Sequence, residues 1–388
     1  MTDGTMKKLP EDVVFYIFFR FPVKSISRFK CVTKSWYTLI QSFNFINLHL
    51  NRTTTTKDEF ILIKRSFKET KGFKTVLSFL LSADGEDDLD PISRDIAVPY
   101  LCTSYGSICH QLNGPCHGLI FLTDFTNIVI LNPATRNYRL LPPSHIGCPR
   151  GFYRSIGGVG FGYDSIQKKY KVVTISEVFG EPPFNDPSVV EWKGEVYDSS
   201  IDSWREHQEL PWRYNFPYSE IFYKGAFHWY AHRKIVIILC FDISTEIFRT
   251  MQVPETCAEY DEKCHSLVVL DESLTFICYP DPGRESSPIQ ETTKIWIMEE
   301  YSVNESWIKK YTIRSPPIES PLVVWKDRLM LLRDKSGLLI SYLESNKIKE
   351  FKLDGYPGSL RIIIYKENLI PIPTGSTQVQ SFREGKTP

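Results

Sequence analysis

Apolar residues recur at helical spacing near the beginning of the chain. Pro10, Glu11 and Asp12 precede the first run, as in many first helical turns, where proline loses no hydrogen bond and acids face the positive end of the helix dipole. That run ends before Pro22, because a residue preceding proline is pushed out of the α region. The three apolar stripes are Val13, Val14, Ile17, Phe18 and Phe21; Val23, Ile26, Phe29 and Val32; and Trp36, Leu39, Ile40 and Phe43. The pattern predicts three short amphipathic helices.

From Phe60 onward the pattern changes to short runs of β-branched and aromatic residues, separated by glycine, proline and polar turns. Such runs occupy residues 60–63, 119–122, 128–131 and 171–175. Amphipathic stretches of about 10–15 residues are missing between these runs, which disfavours a parallel βαβ architecture. The larger part of the chain is therefore predicted to be mainly β.

A unit recurs within this β-rich part. It consists of an apolar strand, then Asn or Asp with small polar residues, then an aromatic residue that opens the next strand. Copies lie at residues 131–138, 197–204, 241–248 and 301–307, with a weaker copy at 342–348. The spacing averages about 50 residues, the size of a kelch-type propeller blade. We therefore predict a β-propeller of about six to eight blades, with each polar centre in a hairpin turn and each aromatic residue packed between blades.

These patterns divide the chain into four parts. Residues 1–45 are predicted to form the helical domain and residues 58–375 the propeller. Residues 46–57 are polar and lose the helical period, so we interpret them as a linker. Residues 376–388 are interpreted as a tail.

Charge separates the two domains. The chain has 388 residues and a formal net charge of zero, and its 42% hydrophobic content predicts a large core. Between residues 7 and 40, however, seven basic residues stand against two acids, a balance of +5 that leaves −5 for the remainder. The basic residues are Lys7, Lys8, Arg20, Lys24, Arg28, Lys30 and Lys34. The predicted helical bundle of about 35 residues is, in addition, too small to be stable alone. We expect it to complete its core on another, acidic protein.

A small DNA-binding helical domain would also be basic, but the third predicted helix argues against one. Trp36, Leu39 and Ile40 are apolar, and the polar residues of the helix, Ser35, Thr38 and Gln41, leave no arginine or bidentate side-chain set to read base edges. We therefore expect no nucleic-acid partner.

The cysteines and the apolar runs indicate a compartment. The nine cysteines are an odd number scattered through apolar strands, and the N-terminus shows no signal peptide. The longest apolar run, residues 235–241, is far short of the roughly 18 residues that a membrane span needs. We expect a protein of the reducing cytoplasm, with the nucleus as a second location, that does not bind membranes.

Catalytic and metal-binding motifs receive no support. Cys102, Cys109-His110 and Cys116-His117 are spaced too widely for a structural zinc site, and Cys257 and Cys264-His265 share that defect. The glycines at 158, 160 and 162 lead into a β-run rather than a helix that could bind a dinucleotide phosphate. We expect no enzyme activity, no metal and no cofactor.

One acidic run has two interpretations. Its members are Asp84, Glu86, Asp87, Asp88 and Asp90. It is either a solvated insertion in the first blade or a surface that binds a basic substrate.

The first 45 residues resemble an F-box. The resemblance rests on Leu9-Pro10-x-Asp12, on ArgPhePro at 20–22, and on residues 24–31 followed by LysSerTrp at 34–36. It implies docking to the Skp-type adaptor of a cullin-based ubiquitin ligase and, through that adaptor, to its cullin and RING subunits. The adaptor contacts implied are Leu9, Pro10, Pro22, Val23, Ser25 and Ile26. We expect Ile17, Phe29, Val32 and Trp36 to form the core of the bundle.

The propeller part resembles the plant F-box-associated interaction domain. The matching motifs are residues 114–120, AsnProAlaThrArg at 132–136, and GlyPheGlyTyrAsp at 160–164 before residues 170–173. With residues 134–143 and 336–342, the chain is most similar to the S-locus F-box proteins of flowering plants. That resemblance implies a pollen receptor that binds secreted pistil ribonucleases in self-incompatibility. Two alternatives stay open: a receptor for an unrelated protein, and a propeller enzyme or sugar-binding protein whose F-box controls its own turnover.

Overall fold

A computed structural model describes most of the chain. The described residues are 9–51, 59–69, 72–82, 89–91, 95–98, 111–123, 127–144, 152–180, 191–207, 215–232, 235–257, 263–280, 292–314, 318–325, 328–333, 337–345, 347–356 and 359–381. They form an N-terminal helical domain followed by a six-blade β-propeller.

The helical domain contains four helices. They are α1 (Glu11–Phe19), α2 (Val23–Phe29), α3 (Lys34–Gln41) and α4 (Phe43–Asn51). Pro10 and Pro22 precede α1 and α2 as their cap residues. The hydroxyl of Thr33 accepts a hydrogen bond of 3.1 Å from the backbone N–H of Trp36 at the start of α3. These local signals place the first three helices where the sequence predicts them.

The fourth helix corrects the prediction of a three-helix domain and of a linker beginning at residue 46. Helix α4 buries Phe45, Ile46 and His49 on one face, and the Ser42 hydroxyl accepts a hydrogen bond from the Phe45 N–H. Asparagine and histidine alternate with its apolar residues, so the helical period is hard to see in the sequence. Residues 52–58 lie outside the described part.

The strands of the propeller belong to six sheets, which we number as blades in chain order. Blade 1 contains β1 (Glu59–Glu69), β2 (Gly72–Ser82), β3 (Leu89–Pro91) and β4 (Ile96–Ala97). Blade 2 contains β5 (Gln111–Cys116), β6 (Leu119–Thr123), β7 (Ile128–Asn132) and β8 (Asn137–Leu140). Blade 3 contains β9 (Phe152–Asp164), β10 (Lys169–Gly180), β11 (Glu191–Asp198) and β12 (Ser203–His207).

The remaining blades follow the same order. Blade 4 contains β13 (Asn215–Tyr223), β14 (Ala226–His232), β15 (Val236–Asp242) and β16 (Phe248–Gln252). Blade 5 contains β17 (Lys263–Leu270), β18 (Ser273–Pro280), β19 (Thr292–Met298) and β20 (Trp307–Arg314). Blade 6 contains β21 (Ile318–Trp325), β22 (Arg328–Arg333), β23 (Gly337–Tyr342) and β24 (Ile348–Lys352). The last strands, β25 (Arg361–Lys366) and β26 (Gln380–Ser381), return to blades 1 and 2.

Strand β25 closes the ring. It pairs antiparallel with β1, with Glu59 opposite Lys366 and Ile63 opposite Ile362, and so becomes the innermost strand of blade 1. The innermost strands β25, β5, β9, β13, β17 and β21 each contact the next, and β21 contacts β25. The first blade is therefore built from both ends of the propeller sequence.

The predicted tail is partly wrong. Strand β26 adds a fifth strand to blade 2 by pairing with β8, with Gln380 opposite Tyr138. Ahead of it, the Thr377 hydroxyl donates a hydrogen bond of 2.6 Å to the Leu140 carbonyl. Residues 376–381 thus belong to the propeller, while residues 382–388 lie outside the described part.

The core lies between the blades. Six apolar clusters each join two neighbouring blades; for example, Leu62 of blade 1 packs with Leu131 of blade 2, and Phe276 of blade 5 packs with Cys240 of blade 4. Glycines help this packing in β9, since a Cβ atom on Gly160 would lie 2.6 Å from the ring of Phe227 in blade 4. The glycine-rich run is therefore a strand, as predicted.

The recurring unit marks the turn between the third and fourth strands of blades 2 to 6, which confirms the predicted hairpins. The aromatic residues that open the fourth strands of blades 2, 3 and 5, Tyr138, Trp204 and Trp307, are buried between blades. The blade count of six agrees with the lower end of the predicted range.

Antiparallel pairing gives the propeller two distinct faces. In each blade, the strand ends that border the first-to-second and third-to-fourth turns lie on one face, and the remaining strand ends lie on the opposite face. The helical domain packs on the first of these, against Ala134 and Leu369, so we name it the helical face and its opposite the distal face. No helix in the described ranges is long and apolar enough to cross a membrane.

Candidate adaptor-docking surface

The helical domain exposes many large apolar side chains. They are Leu9, Val13, Tyr16, Ile17, Phe21, Val32, Tyr37, Phe43 and Leu48. A set this dense on so small a domain marks an interaction surface. The structure thus agrees with the expectation that the bundle docks on another protein.

The implied adaptor contacts divide into two groups. Leu9 is 60% exposed, Pro10 and Pro22 are exposed, and Ser25 is half-buried. Val23 and Ile26, in contrast, are 0% exposed and lie inside the bundle. As the first and fourth residues of α2 they share one face of that helix, and that face is turned toward the other helices. Their assignment as contact residues is wrong for this structure, in which they are core residues.

The predicted core residues divide in the opposite way. Phe29 and Trp36 are half-buried and pack on Phe18, at ring-centroid distances of 5.2 and 5.0 Å. Ile17 is 40% exposed and Val32 is 57% exposed, so neither belongs to the core. Helix α2 ends at Phe29, so helical spacing no longer relates Val32 to that helix.

A residue of the propeller completes the helical core. The buried side chains there are Phe18, Val23, Ile26, Ile40, Phe45, Ile46 and Leu369. Leu369 follows β25 and is only 3% exposed, and Ile370 and Ala134 pack against the same cluster. The small size of the bundle predicts that it completes its core on another protein, but the chain's own propeller supplies part of that core. Ala134 belongs to the AsnProAlaThrArg motif at 132–136, which is the sequence feature that marks this contact region of the propeller.

The helical domain exposes basic side chains as well as apolar ones. Arg20, Lys24, Arg28 and Lys34 are exposed, whereas Lys30 is half-buried and burial lowers the pKa of its ammonium group. Lys7 and Lys8 lie outside the described residues. The exposed cations favour an acidic partner.

The acidic run is mostly outside the described part. This applies to Asp84, Glu86, Asp87 and Asp88, while Asp90 lies in β3 opposite Leu81. The strand ends that flank the run, Ser82 and Leu89, pair with each other where β2 ends. Strand β1 starts on the helical face and β2 returns to it, so both flanking ends lie on that face.

The Cys/His clusters show no arrangement suited to metal chemistry among the residues that the structure describes. No group of three or more His, Cys, Asp or Glu side chains there could hold a metal ion. Burial raises the pKa of the Cys116 thiol to about 12, so the thiolate that would ligate or attack is strongly disfavoured. Cys102, Cys109 and His110 lie outside the described ranges.

Comparison with known proteins gives the same division of the chain. Residues 6–48 match the F-box domain, and residues 102–372 match the F-box associated beta propeller domain. The F-box protein CPR1 of Arabidopsis thaliana is 27% identical over 392 residues, which cover 94% of this chain and 89% of that protein. The F-box protein At3g07870 of Arabidopsis thaliana is 23% identical, and the matched region covers 94% of this chain and 92% of that protein.

A solved structure with some likeness is TolB from Acinetobacter baumannii. The matched region covers 82% of this chain and 69% of TolB, with 10% sequence identity and a TM-score of 0.45. That likeness is too distant to bear on function.

Proposed function

The chain belongs to the F-box proteins that carry an F-box associated beta propeller domain, and we infer that it is the substrate-recognition subunit of a cullin-based ubiquitin ligase. The observation that carries this inference is the exposed apolar surface of the helical domain, at one end of a propeller whose distal face points away from it. The chain itself is not an enzyme. Ubiquitin transfer belongs to the other subunits, and we propose that the complex works in the cytoplasm and the nucleus.

We propose that the adaptor binds the exposed segment from Leu9 to Pro22. Leu9, Pro10 and Pro22 are exposed, and Tyr16 and Ile17 extend the apolar surface along α1. Burying such side chains removes apolar area from water, which contributes about 1.5–3 kcal/mol for each fully covered side chain. The basic residues around this segment steer an acidic adaptor toward it.

We propose that the protein substrate binds the distal face. Several longer connections are attached there: β10 ends at Gly180 and β11 begins at Glu191, and β18 ends at Pro280 and β19 begins at Thr292. Connections held by a rigid scaffold are where binding residues concentrate. Since the helical face carries the adaptor, substrate on the distal face leaves both partners room to bind together.

The substrate that we propose is a secreted pistil ribonuclease, bound in pollen during self-incompatibility. The proposal rests on the similarity of residues 7–12, 134–143 and 336–342 to S-locus F-box proteins. It is also supported by charge, because the chain outside residues 7–40 carries −5 and ribonucleases, which bind RNA, are commonly basic.

Affinity capture with mass spectrometry tests this assignment. The bait is the full chain, and the extracts come from pollen, which supplies ligase subunits, and from pistil, which supplies ribonucleases. We expect the bait to enrich a Skp-type adaptor, a cullin and one or more ribonucleases. Enrichment of the ligase subunits with a different protein would leave the receptor function intact and contradict the ribonuclease.

The Leu9→Ala/Pro10→Ala variant is the matched control in that experiment. It should lose the adaptor and cullin and retain the substrate, because the substitutions lie on the helical domain. Loss of the substrate together with the adaptor would contradict the separation of the two binding sites.

A further inference from the structure

The side chain of Asn132 makes two different kinds of contact. It is fully buried at the end of β7, where the recurring turn of blade 2 begins. Its Oδ1 accepts hydrogen bonds from the backbone N–H groups of Ala134 (3.0 Å) and Thr135 (3.2 Å), which cap the turn. Its Nδ2 donates to the carbonyl of Ile370 (2.9 Å) and that of Asn368 (3.2 Å), beyond β25. One amide thus holds its own turn and a distant segment.

The other recurring turns show which of these contacts needs an asparagine. The same position is Asp198 in blade 3 and Asp242 in blade 4. Asp198 Oδ1 accepts from the Ser200 N–H (2.8 Å), and Asp242 Oδ1 accepts from the Thr245 N–H (2.7 Å). A carboxylate therefore caps this turn adequately. What an asparagine adds at position 132 is the N–H donors of its amide, which bond to the carbonyls of the C-terminal segment. A carboxylate could not donate these hydrogen bonds.

Asn368 fastens the same segment to the other turn of blade 2. It is 2% exposed, its Oδ1 accepts from the Ile370 N–H (2.9 Å), and its Nδ2 donates to the carbonyl of His117. A Cβ atom on Gly118, which has a φ of +68°, would collide with this amide. Glycine at position 118 therefore leaves the room that the Asn368 side chain needs.

Leu369 lies between the two fastened residues and carries the constraint to the helices. Its side chain is buried in the same apolar cluster as Val23, Ile40 and Phe45 of the helical domain. Its neighbour Ile370 and the turn residue Ala134 pack against that cluster. Any rotation of the helical domain on the propeller would pull these apolar groups apart, unless the segment moved with it.

We propose that Asn132 and Asn368 form an amide clamp that fixes the orientation of the helical domain on the propeller. The clamp holds residues 368–370 on both turns of blade 2, and Leu369 then holds the helices. Given the receptor function proposed above, on which this step rests, the clamp sets the direction in which bound substrate faces the rest of the ligase. Asn132 and Asn368 are thus positioning residues for ubiquitin transfer.

The variant Asn132→Asp separates the two roles of this side chain. The carboxylate keeps the acceptor that caps the turn, but it replaces the donor with an oxygen that faces the carbonyls of Asn368 and Ile370. Asp242→Asn is the matched control, because it makes the reverse exchange at the equivalent turn of blade 4, and the amide can still accept from the Ser244 and Thr245 N–H groups.

Two measurements on the full chain, made both on the free chain and on its complex with a Skp-type adaptor, test the clamp. Hydrogen exchange of a peptide covering residues 366–374 should become about tenfold faster in Asn132→Asp and remain unchanged in Asp242→Asn. Small-angle X-ray scattering should show a larger maximum dimension for Asn132→Asp, because the two domains no longer hold one orientation. Wild-type exchange and scattering in Asn132→Asp would overturn the proposal.

A second variant keeps the test decisive if Asn132→Asp fails to fold. Leu369→Ala leaves both amides in place and removes the side chain that links the clamp to the helices. It should increase the maximum dimension while exchange in residues 131–138 stays at the wild-type rate, and unchanged scattering would overturn the proposal. Adaptor affinity of the wild-type chain, measured in the same samples, tests the receptor function separately, because scattering of the free chain reports on the clamp even without adaptor binding.

Discussion

The ammonium group of Lys171 lies 2.8 Å from Asp164 Oδ2, in a contact buried between blades 3 and 4. The same ammonium donates to the Ile243 carbonyl and pairs with Glu246, each at 2.8 Å. Burial alone raises the pKa of Asp164, but hydrogen bonds from Lys171, Gln167 and Ser244 outweigh it and lower the pKa to about 2. Blades 3 and 4 are thus joined by charged groups as well as by apolar packing.

Lys171→Met should destabilise the propeller strongly. The substitution leaves the buried Asp164 carboxylate without its cation, and breaking a buried pair from one side costs about 3–5 kcal/mol. Urea unfolding monitored by tryptophan fluorescence measures the loss. Lys310→Met is the control, since its pair with Asp271 is exposed and contributes about 0–1 kcal/mol. Equal losses in the two variants would show that the buried pair has no special role.

Protonation of His228 should destabilise the propeller in mild acid. This side chain is fully buried, Nε2 lies 2.9 Å from the Tyr301 hydroxyl, and burial lowers its pKa from 6.5 to about 4. Between these values the unfolded chain binds a proton that the folded chain does not. Stability is therefore complete above pH about 6.5 and falls as the pH decreases toward about 4, by about 2 kcal/mol at pH 5.

Urea unfolding at pH about 7.5 and about 5 measures that difference. His228→Gln lacks the titrating group. Its free energy of unfolding should therefore change less between the two pH values than that of the wild type, by about 2 kcal/mol. A variant with the same pH dependence as the wild type would assign the effect to other groups.

Trp36→Ala should destabilise the helical domain by about 2–4 kcal/mol, somewhat less than for a fully buried tryptophan. Trp36 packs edge-on against Phe18 and Phe29, with ring centroids 5.0 and 5.9 Å away. Val32→Ala is the control and should change stability by less than about 0.5 kcal/mol, because Val32 is exposed. Thermal unfolding followed by the helical circular dichroism signal compares the two variants. An equally small loss of stability in both would place Trp36 at the periphery, like Val32.

Neutralising the acidic run should slow association with a pistil ribonuclease. The change replaces Asp84, Glu86, Asp87, Asp88 and Asp90 by Asn or Gln. The strand ends that flank the run lie on the helical face, so its charge acts on a ribonuclease approaching the distal face only through the long-range field. That field changes mainly the association rate and is screened at a Debye length of about 10 Å in 0.1 M salt. Surface plasmon resonance at several salt concentrations should show slower association and a flatter salt dependence.

Adaptor affinity is measured alongside, because Ser82 and Leu89 at the ends of the run lie on the helical face. We expect it to be unchanged. Equal association rates and equal salt slopes for the two proteins would make this run a solvated loop.

The repeated turns could be predicted because their stabilising contacts are local. Asp242 caps its turn through Ser244 and Thr245, two and three positions away, so the motif is visible within one short segment. The closure of the propeller leaves no such signal. Ser66 in β1 donates its N–H to the Ser359 hydroxyl, 293 positions away, and neither neighbourhood indicates the other.

The inner and outer sides of the helical domain could not be predicted from periodicity. Helix α1 is apolar on nearly all sides, so spacing alone does not distinguish buried Phe18 from exposed Ile17. The side that faces inward is set by α4 and by Leu369, and the sequence pattern showed neither of them. Val23 was an adaptor contact by the family resemblance alone, and in the structure it lies in the core of the bundle.

Adaptor binding by the full chain tests the receptor function most directly. Isothermal titration with a Skp-type adaptor should show binding of the wild type and none of Leu9→Ala/Pro10→Ala, because Leu9 is 60% exposed and its substitution removes contact area without opening the core. Val23→Ala is the control: it should lower the helical melting temperature, since Val23 is 0% exposed, whereas the double variant should melt like the wild type. Wild-type affinity in the double variant, or no adaptor binding by the wild-type chain, would contradict the account.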